Sequence, residues 1–261
     1  MSSSESPLVK MQFRQPRLAE MVANVLRKRI LSGELADGSL LAKQEELIDQ
    51  FSVSKPSIRE ALRILETEGL ITVQRGNVGG AVVHVPRTSS AAYMLGLVLQ
   101  SKRVNLRDVG AAIKHIEPVC AALCAERDDR DKVVVPRLRA VHKAALDCAP
   151  DNALQLTVLT RQFHEELVAL CGNQTMIQLV GALETLWSSH EQEWAQRKKE
   201  EGEFPDPAVR KNSLKVHERL IALIEAGDAE GVSRAARKHL EGSIFYASGD
   251  GGMIINADAL R

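Results

Sequence analysis

The sequence predicts a mainly α-helical protein with two domains. The N-terminal domain is expected to be small, with three helices and a β-hairpin, and the C-terminal domain to be an antiparallel bundle of six to seven helices. The chain has 261 residues, enough for two hydrophobic cores. Only 3% of them are aromatic, so we expect aliphatic cores, which favour packed helices over a sandwich or barrel. Strand-like segments fall within residues 70–85, and no segment beyond residue 89 resembles a strand.

The overall charge does not identify a partner, because 34 Lys and Arg residues balance 34 Asp and Glu residues. The distribution is more informative, since residues 10–29 form a basic segment in which Glu20 is the one acidic side chain. No segment approaches the ~20 apolar residues of a membrane span. The four cysteines lack the paired spacing of a zinc knuckle. We therefore expect a cytoplasmic protein with buried, reduced thiols and no membrane contact.

The N-terminal domain is expected to span residues 14–87, after an arm at residues 1–13 that we expect to be disordered. Apolar spacing predicts its helices, and short apolar runs on either side of the Gly-rich residues 76–80 predict its two strands. Gly33 ends the first helix and Pro86 closes the domain. The predicted helices are 18–32, 43–51 and 54–68, and the predicted strands are 70–74 and 81–85.

The C-terminal domain is expected to span residues 91–246 and to be entirely helical, with breaks at Gly, Pro, Asn and Asp. We expect the joint between the two domains at residues 89–92. The glycines of residues 249–252 predict a flexible tail over residues 247–261. The seven predicted helices are 91–101, 105–126, 130–147, 151–171, 175–200, 207–226 and 228–246.

Helix, short turn, helix and β-hairpin is the order of a winged helix-turn-helix, in which the second helix of the pair enters the major groove of DNA. The third predicted helix carries Lys55, Arg59 and Arg63 at i, i+4 and i+8, opposite its apolar face. We call these three residues the basic stripe. The fork of Arg59 can read a guanine edge or hold a phosphate. From charge alone, a solvated helix face is as consistent with this stripe as a DNA-binding face.

The residue pattern of this region resembles the GntR superfamily of bacterial transcription regulators. The resemblance covers about residues 14–86 and is strongest in residues 30–35, 47–62 and 65–70. It implies a sequence-specific DNA-binding regulator. Family members commonly carry Arg at the position of Glu45, where an acidic side chain cannot hold a phosphate. The resemblance implies DNA contacts at Ser54, Lys55, Ser57 and Arg59 on the helix and at Arg75, Gly76 and Asn77 in the wing. We add Arg63, the last residue of the basic stripe, to these expected contacts.

The helical half resembles the FadR subgroup of the same superfamily. Its C-terminal domain, of the FCD type, is an antiparallel helical bundle that binds an effector. Three fragments in matching order carry the resemblance, at residues 116–127, 163–173 and 217–240. The resemblance therefore implies a sensing domain, which is also where we expect dimerisation.

Members of this subgroup often hold a divalent metal with one Asp and three His, and the metal helps to bind a small carboxylate. The three positions match His164, His217 and His239 here. The resemblance therefore implies these residues as metal ligands or as part of the effector pocket. Helical spacing alone does not select them, because His142 and His190 also lie on apolar faces, and satisfied core histidines remain an alternative.

Two positions depart from the subgroup. Thr160 replaces the metal-binding Asp, which should weaken binding and shift the choice of metal towards zinc or nickel. Ile113, with Lys114 beside it, replaces an Arg that pairs with effector carboxylates. We assign all three residues to the effector pocket. The two losses together raise the hypothesis that the pocket has changed from small carboxylates to a larger apolar ligand, such as an acyl-CoA or lipid-like metabolite.

Two other classes of function are open. Three histidines could serve a metal-dependent hydrolase, but no H-E-x-x-H motif accompanies them, and we do not expect an enzyme. A protein-interaction adaptor built on the winged domain is the other alternative. The interpretation that we favour is a homodimeric regulator that binds a pseudo-palindromic operator, acts as a repressor, and changes its DNA affinity when a small-molecule effector binds.

Overall fold

The computed structural model describes residues 18–74, 80–149, 152–201, 207–247 and 253–260, and the chain divides into two compact units after Pro86. None of the described helices is long and apolar enough to cross a membrane. The first unit contains α1 (Leu18–Leu31), α2 (Gln44–Phe51), α3 (Lys55–Thr67), β1 (Ile71–Gln74) and β2 (Gly80–Val83). The second contains α4 (Thr88–Ser101), α5 (Leu106–Glu126), α6 (Val134–Leu146), α7 (Ala153–Ala169), α8 (Gln174–Glu201), α9 (Pro207–Glu225), α10 (Ala229–Ala247) and a 3₁₀ helix (Ala257–Leu260).

The first unit is the predicted winged helix-turn-helix. Antiparallel strands β1 and β2 pair Ile71 with Val83, which places both side chains in the core. A bridge from Leu40 to Val82 adds a third segment to this hairpin. Alternation along β2, Ile71 of β1, and helical spacing along α1 and α3 thus converge on one aliphatic cluster. The fully buried members of its helices include Ala23, Leu26, Ile30, Ile58, Ala61 and Leu65.

The basic segment predicted at residues 10–29 is partly neutralised. Two of its arginines, both on α1, form ion pairs. Arg27 donates from Nε and Nη2 to the Glu68 carboxylate at 2.8 and 2.5 Å, and this holds α1 against the end of α3. Arg29 Nε lies 2.6 Å from Oε1 of Glu34. These two arginines therefore form ion pairs within the first unit. The rest of the basic segment before α1, residues 10–17, lies outside the described residues.

The second unit is a bundle of seven helices in the described part of the chain, as predicted. One aliphatic cluster surrounds Leu138, Phe163 and Leu167. A second surrounds Ile113 and Trp187. Because α5 contributes buried residues to both clusters along its length, it is the central helix that positions the side chains described below.

Two helix starts differ from the prediction by three residues or more. Helix α4 begins at Thr88, so the joint predicted at residues 89–92 lies in its first turn. Helix α6 begins at Val134, four residues after the predicted start, because the preceding residues form a turn that contacts two other helices. In that turn the guanidinium of Arg127 donates to the carbonyl of Leu170 at 3.1 Å, and Arg130 donates to the carbonyl of Glu225 at 3.4 Å. The turn therefore caps the C-terminal ends of α7 and α9.

The prediction of a flexible tail over residues 247–261 is wrong for residues 253–260. Leu106 N donates to the Met253 carbonyl at 2.8 Å, and Ile255 N donates to the Val104 carbonyl at 2.9 Å. The backbone N–H of Asn256 donates to Nε2 of the buried His190 at 2.9 Å. Ile255 joins the cluster around Trp187 and is 1% exposed. The glycines at 249–252 signalled a loose end, but the apolar residues after them return the chain to the core.

Replacing Ile255 by alanine is expected to lower the free energy of unfolding of the second unit by about 2–5 kcal/mol, because it removes a fully buried branched side chain. The matched control is Ile254→Ala, since Ile254 is 38% exposed and should cost less than about 1 kcal/mol. Urea unfolding followed by circular dichroism measures both. Equal losses for the two variants would contradict the docked position of this segment.

Candidate functional site

Three histidines from three helices converge inside the second unit. His164 lies on α7, His217 on α9 and His239 on α10, and all three are buried. Their Nε2 atoms form a nearly equilateral triangle with sides of 3.1, 3.3 and 3.3 Å. The structure therefore brings together the three histidines that the sequence singled out.

The packing around the triangle fixes the orientation of its rings. His164 Nδ1 lies 2.6 Å from Oε1 of the fully buried Glu117. If this nitrogen carries the proton of the neutral ring and donates it to the carboxylate, Nε2 presents its lone pair to the triangle. The ring of His217 stacks on Phe163, with centroids 4.1 Å apart. The ring of His239 stacks parallel to that of His164 at 5.2 Å.

Burial keeps the three imidazoles neutral. It lowers the pKa of His164 to about 3, and the nearby Arg161 cation contributes to the same shift. Burial and the neighbouring His164 lower the pKa of His239 to about 3 as well. The pKa of His217 is well below its usual value, again first because of burial. Neutral imidazoles are the form that ligates a metal ion.

The triangle fits a divalent metal. Three nitrogens that each lie about 2.1 Å from one ion, at angles between 90° and 110°, are about 3.0–3.4 Å apart. The observed sides of 3.1–3.3 Å fall within this range. The carboxylate behind His164 matches the support that metal-bound histidines usually have. Three neutral nitrogens suit zinc or nickel.

Next to the histidines lies a cluster of buried charges, formed by Glu117 on α5, Arg161 on α7 and Glu184 on α8. We call these three residues the charged cluster. Arg161 Nη2 lies 2.5 Å from Oε2 of Glu184 and 3.6 Å from Oε2 of Glu117. Sequence reasoning did not assign Arg161 or Glu184 to a site. A charged residue within an apolar helical face was the signal that could have identified both.

Burial raises the pKa of the Glu184 carboxyl to about 8 against the opposing effect of Arg161, and Glu117 raises it further. Glu184 therefore keeps a proton in the folded protein that it loses in the unfolded chain above pH 4.5. Its contribution to stability is complete below pH 4.5 and is lost as the pH rises through about 8. The free energy of unfolding changes by about 1.4 kcal/mol per pH unit for such a group. Between pH 6 and 8, the free energy of unfolding of metal-free wild type should therefore fall by roughly 2–3 kcal/mol more than that of Glu184→Gln.

Urea unfolding of both proteins at several pH values, in the presence of a chelator, measures this difference. The glutamine variant is the matched control, because it keeps the shape of the side chain and cannot titrate. Parallel stability curves for the two proteins would show that Glu184 is ionised in the folded state.

The three residues assigned to the effector pocket lie in different surroundings. Ile113 is 1% exposed in the aliphatic cluster of Trp187. Lys114 is about one-third exposed, and its Nζ lies 4.0 Å from Oε1 of Glu241. Thr160 lies four residues before His164 on α7 and donates its hydroxyl to the backbone carbonyl of Leu156 at 2.8 Å. Its hydroxyl is therefore directed to its own helix.

The basic stripe lies on the outer face of α3. Lys55, Arg59 and Arg63 are all exposed on this helix. Ser54 precedes the helix but makes no hydrogen bond from its side chain to the free backbone amides. Its hydroxyl instead lies 3.0 Å from that of the half-buried Ser57. The amides at the start of α3 therefore remain available to a phosphate.

The rest of the predicted DNA-contacting surface is described only in part. Arg75, Gly76 and Asn77, the predicted wing contacts, lie outside the described residues. Glu45 is exposed in the first turn of α2, where it adds negative charge. Ser52 in the turn between α2 and α3 has a left-handed backbone, with φ of 49°. This tight turn sets how α3 is presented.

A winged helix-turn-helix with an exposed basic helix, followed by a helical domain with a buried ligand-type site, defines a DNA-binding transcription regulator. The chain belongs to the GntR family of bacterial regulatory proteins, in the group that carries an FCD domain. Residues 18–82 match the profile of "Bacterial regulatory proteins, gntR family". Residues 108–242, about half of the chain, match that of the FCD domain.

Relatives and solved structures agree with this assignment. The chain is 26% identical over 231 residues to the putative L-lactate dehydrogenase operon regulatory protein of Escherichia coli K12, covering 86% of this chain and 84% of that protein. It is 25% identical over 236 residues to the Exu regulon transcriptional regulator of the same organism, covering 88% of this chain and 85% of that protein. The structure titled Streptococcus agalactiae GntR shares the fold, with a TM-score of 0.66, 21% identity, and coverage of 87% and 99%.

Proposed function

We propose that this regulator changes its affinity for operator DNA when a small carboxylate binds beside a divalent metal in the helical unit. The observation that carries the proposal is the triangle of Nε2 atoms with sides of 3.1–3.3 Å. His164, His217 and His239 would hold the metal, as zinc or nickel. When bound, the metal supplies a Lewis-acidic positive charge that attracts an anionic oxygen.

The first unit is proposed to hold the DNA, with its contacts spread over α3 and the wing. The exposed stripe would lie in the major groove, and the free amides at the start of α3 would receive a phosphate. We propose that the protein acts in the cytoplasm and represses transcription by occupying a promoter. The proposed contacts are Ser54, Lys55, Ser57, Arg59 and Arg63, with Arg75, Gly76 and Asn77 in the wing.

A small anionic effector is favoured over an acyl-CoA or lipid-like one. His164 contacts the buried Glu117 carboxylate, which in turn lies 3.6 Å from Arg161, so charged groups adjoin the triangle. Ile113 is already packed against other core residues. An apolar ligand placed against the charged cluster would leave buried charges without partners, which is costly.

We propose that the second unit forms the homodimer through α4. Three neighbouring apolar side chains on this helix are exposed: Met94 at 61%, Leu97 at 40% and Val98 at 50%. A second copy of the chain would bury this row and pair two recognition helices on a pseudo-palindromic operator. In sedimentation equilibrium, the double variant Met94→Glu/Val98→Glu should be monomeric. The control is Met21→Glu, which changes a similarly exposed Met on α1 and should remain dimeric. A dimeric double variant would place the interface elsewhere.

The test of the proposed function is fluorescence anisotropy with DNA from the regulator's own promoter. Metal-loaded protein is titrated with succinate as the probe. A coupling free energy of about 1–3 kcal/mol predicts a 5- to 150-fold change in operator affinity. His217→Ala should bind the operator but not respond. An operator affinity that is unaffected by any small carboxylate would contradict the proposal.

A further inference from the structure

The backbone N–H of Val73 points away from the partner strand of the wing hairpin. Ala81 of β2 lies opposite Val73, and its carbonyl accepts a hydrogen bond from the N–H of Leu41 at 2.8 Å. Because the carbonyl of Ala81 is directed to Leu41, Ala81 and Val73 are a non-hydrogen-bonded pair of the hairpin. The N–H of Val73 therefore lies at the outer edge of β1, with which no other strand pairs in the part of the chain that the structure describes.

The carboxylate of Glu66, near the end of the recognition helix α3, caps this edge. Its Oε1 accepts a hydrogen bond from the N–H of Val73 at 3.0 Å. Packing alone does not hold this part of the strand, because the side chain of Ile71 is buried whereas those of the next three residues of β1 are exposed. The bond between Glu66 and Val73 therefore ties the exposed part of β1 to α3.

Glu66 is an exposed acidic residue on the side of α3 that is proposed to face DNA. It follows Arg59 by about two helical turns, so the two side chains lie on the same side of the helix. A carboxylate in this position repels the phosphates of DNA, so its charge opposes binding. The hydrogen bond to β1 gives this side chain a different role, which does not depend on its charge.

We propose that Glu66 is a positioning residue for DNA binding, which fixes the wing relative to the recognition helix. The predicted wing contacts Arg75, Gly76 and Asn77 begin two residues after Val73 in the chain. Without the bond at Val73, the outer part of the hairpin keeps conformational freedom that it must lose when the wing contacts DNA, and this loss weakens binding. The inference rests on the wing contacts of the proposed function.

The test compares Glu66→Ala with Glu66→Gln by fluorescence anisotropy with promoter DNA at one salt concentration. Both variants remove one negative charge, so charge alone predicts the same, slightly tighter binding for both. Only the glutamine keeps a side-chain oxygen that can accept the hydrogen bond from Val73. Each variant is also combined with Arg75→Ala/Asn77→Ala, which removes two wing contacts. Because Glu66 is exposed, we expect all variants to fold, and circular dichroism checks this.

We expect Glu66→Gln to bind the operator at least as tightly as wild type. Glu66→Ala should bind about 10-fold more weakly than Glu66→Gln, since one hydrogen bond contributes about 3-fold in each of two protomers. With Arg75→Ala/Asn77→Ala present, the two should differ by less than about 3-fold. Equal affinities with the wing contacts intact, or the full difference in both backgrounds, would overturn the positioning role alone. If Arg75→Ala/Asn77→Ala itself leaves operator affinity unchanged, the proposed wing contacts fail as well.

Discussion

Replacing Arg59 by alanine is expected to abolish specific operator binding without changing the fold or the oligomeric state. Arg59 is exposed at the centre of the basic stripe and is fixed to a helix whose other face is buried in the core. One bidentate contact to a guanine contributes about 1–3 kcal/mol, so two protomers lose about 2–6 kcal/mol, or roughly 30-fold to more than 10 000-fold in affinity. Fluorescence anisotropy with promoter DNA measures the loss.

Two controls separate base recognition from charge. Arg237→Ala removes the same charge from an exposed position on α10 and should leave operator affinity unchanged. Arg59→Lys keeps the charge but loses the fork, so it should weaken specific binding more than non-specific binding. If Arg59 holds only a phosphate, both kinds of binding will weaken equally, and the slope of log affinity against log salt concentration will fall by about one unit per protomer, or about two for the dimer. Unchanged affinity in Arg59→Ala would contradict the proposed position of α3 on DNA.

Replacing His217 by alanine is expected to reduce the affinity for zinc or nickel by about 100-fold or more. Four-ligand zinc sites bind with about 10–16 kcal/mol, so that one ligand accounts for roughly 2.5–4 kcal/mol. The Nε2 of His217 lies 3.1 Å from that of His239 and 3.3 Å from that of His164, so it occupies one corner of the triangle. Competition with a chromogenic chelator measures the affinity.

The matched control is His142→Ala. His142 is also buried, and its ring lies 6.4 Å from that of His217, yet the metal-type cluster does not include it. The loss of this ring should change metal affinity by less than about 10-fold, the lower end of what residues around a metal site contribute. Equal losses for the two variants would mean that the triangle does not define the binding site.

The sequence predicted the architecture well, because periodicity reports how helices and strands bury their apolar faces. The apolar spacing of Ile58, Ala61 and Leu65 and the short apolar runs on either side of the Gly-rich turn are local signals that the tertiary structure preserves. Sequence patterns predicted the structure poorly where contacts between residues far apart in the chain determine it. Residues 253–260 are held in place by His190 and by the cluster of Trp187, neither of which is near them in sequence.

The candidate site was accessible from the sequence only in part. His142 and His190 lie on apolar faces just as His164 does, so spacing could not select the triangle, and the family resemblance was needed. Arg161 and Glu184 were overlooked, because a charged residue on a helix usually faces solvent. Their pairing requires α7 and α8 to pack side by side, which no local pattern encodes.

The account depends most directly on whether the three histidines hold a metal. Elemental analysis of the untagged protein, purified without chelator and then incubated with zinc or nickel and desalted, tests this. We predict about one equivalent of metal per chain in wild type and in His142→Ala, and a background level in His217→Ala. A wild-type protein that binds promoter DNA but retains no metal under these conditions would contradict the account.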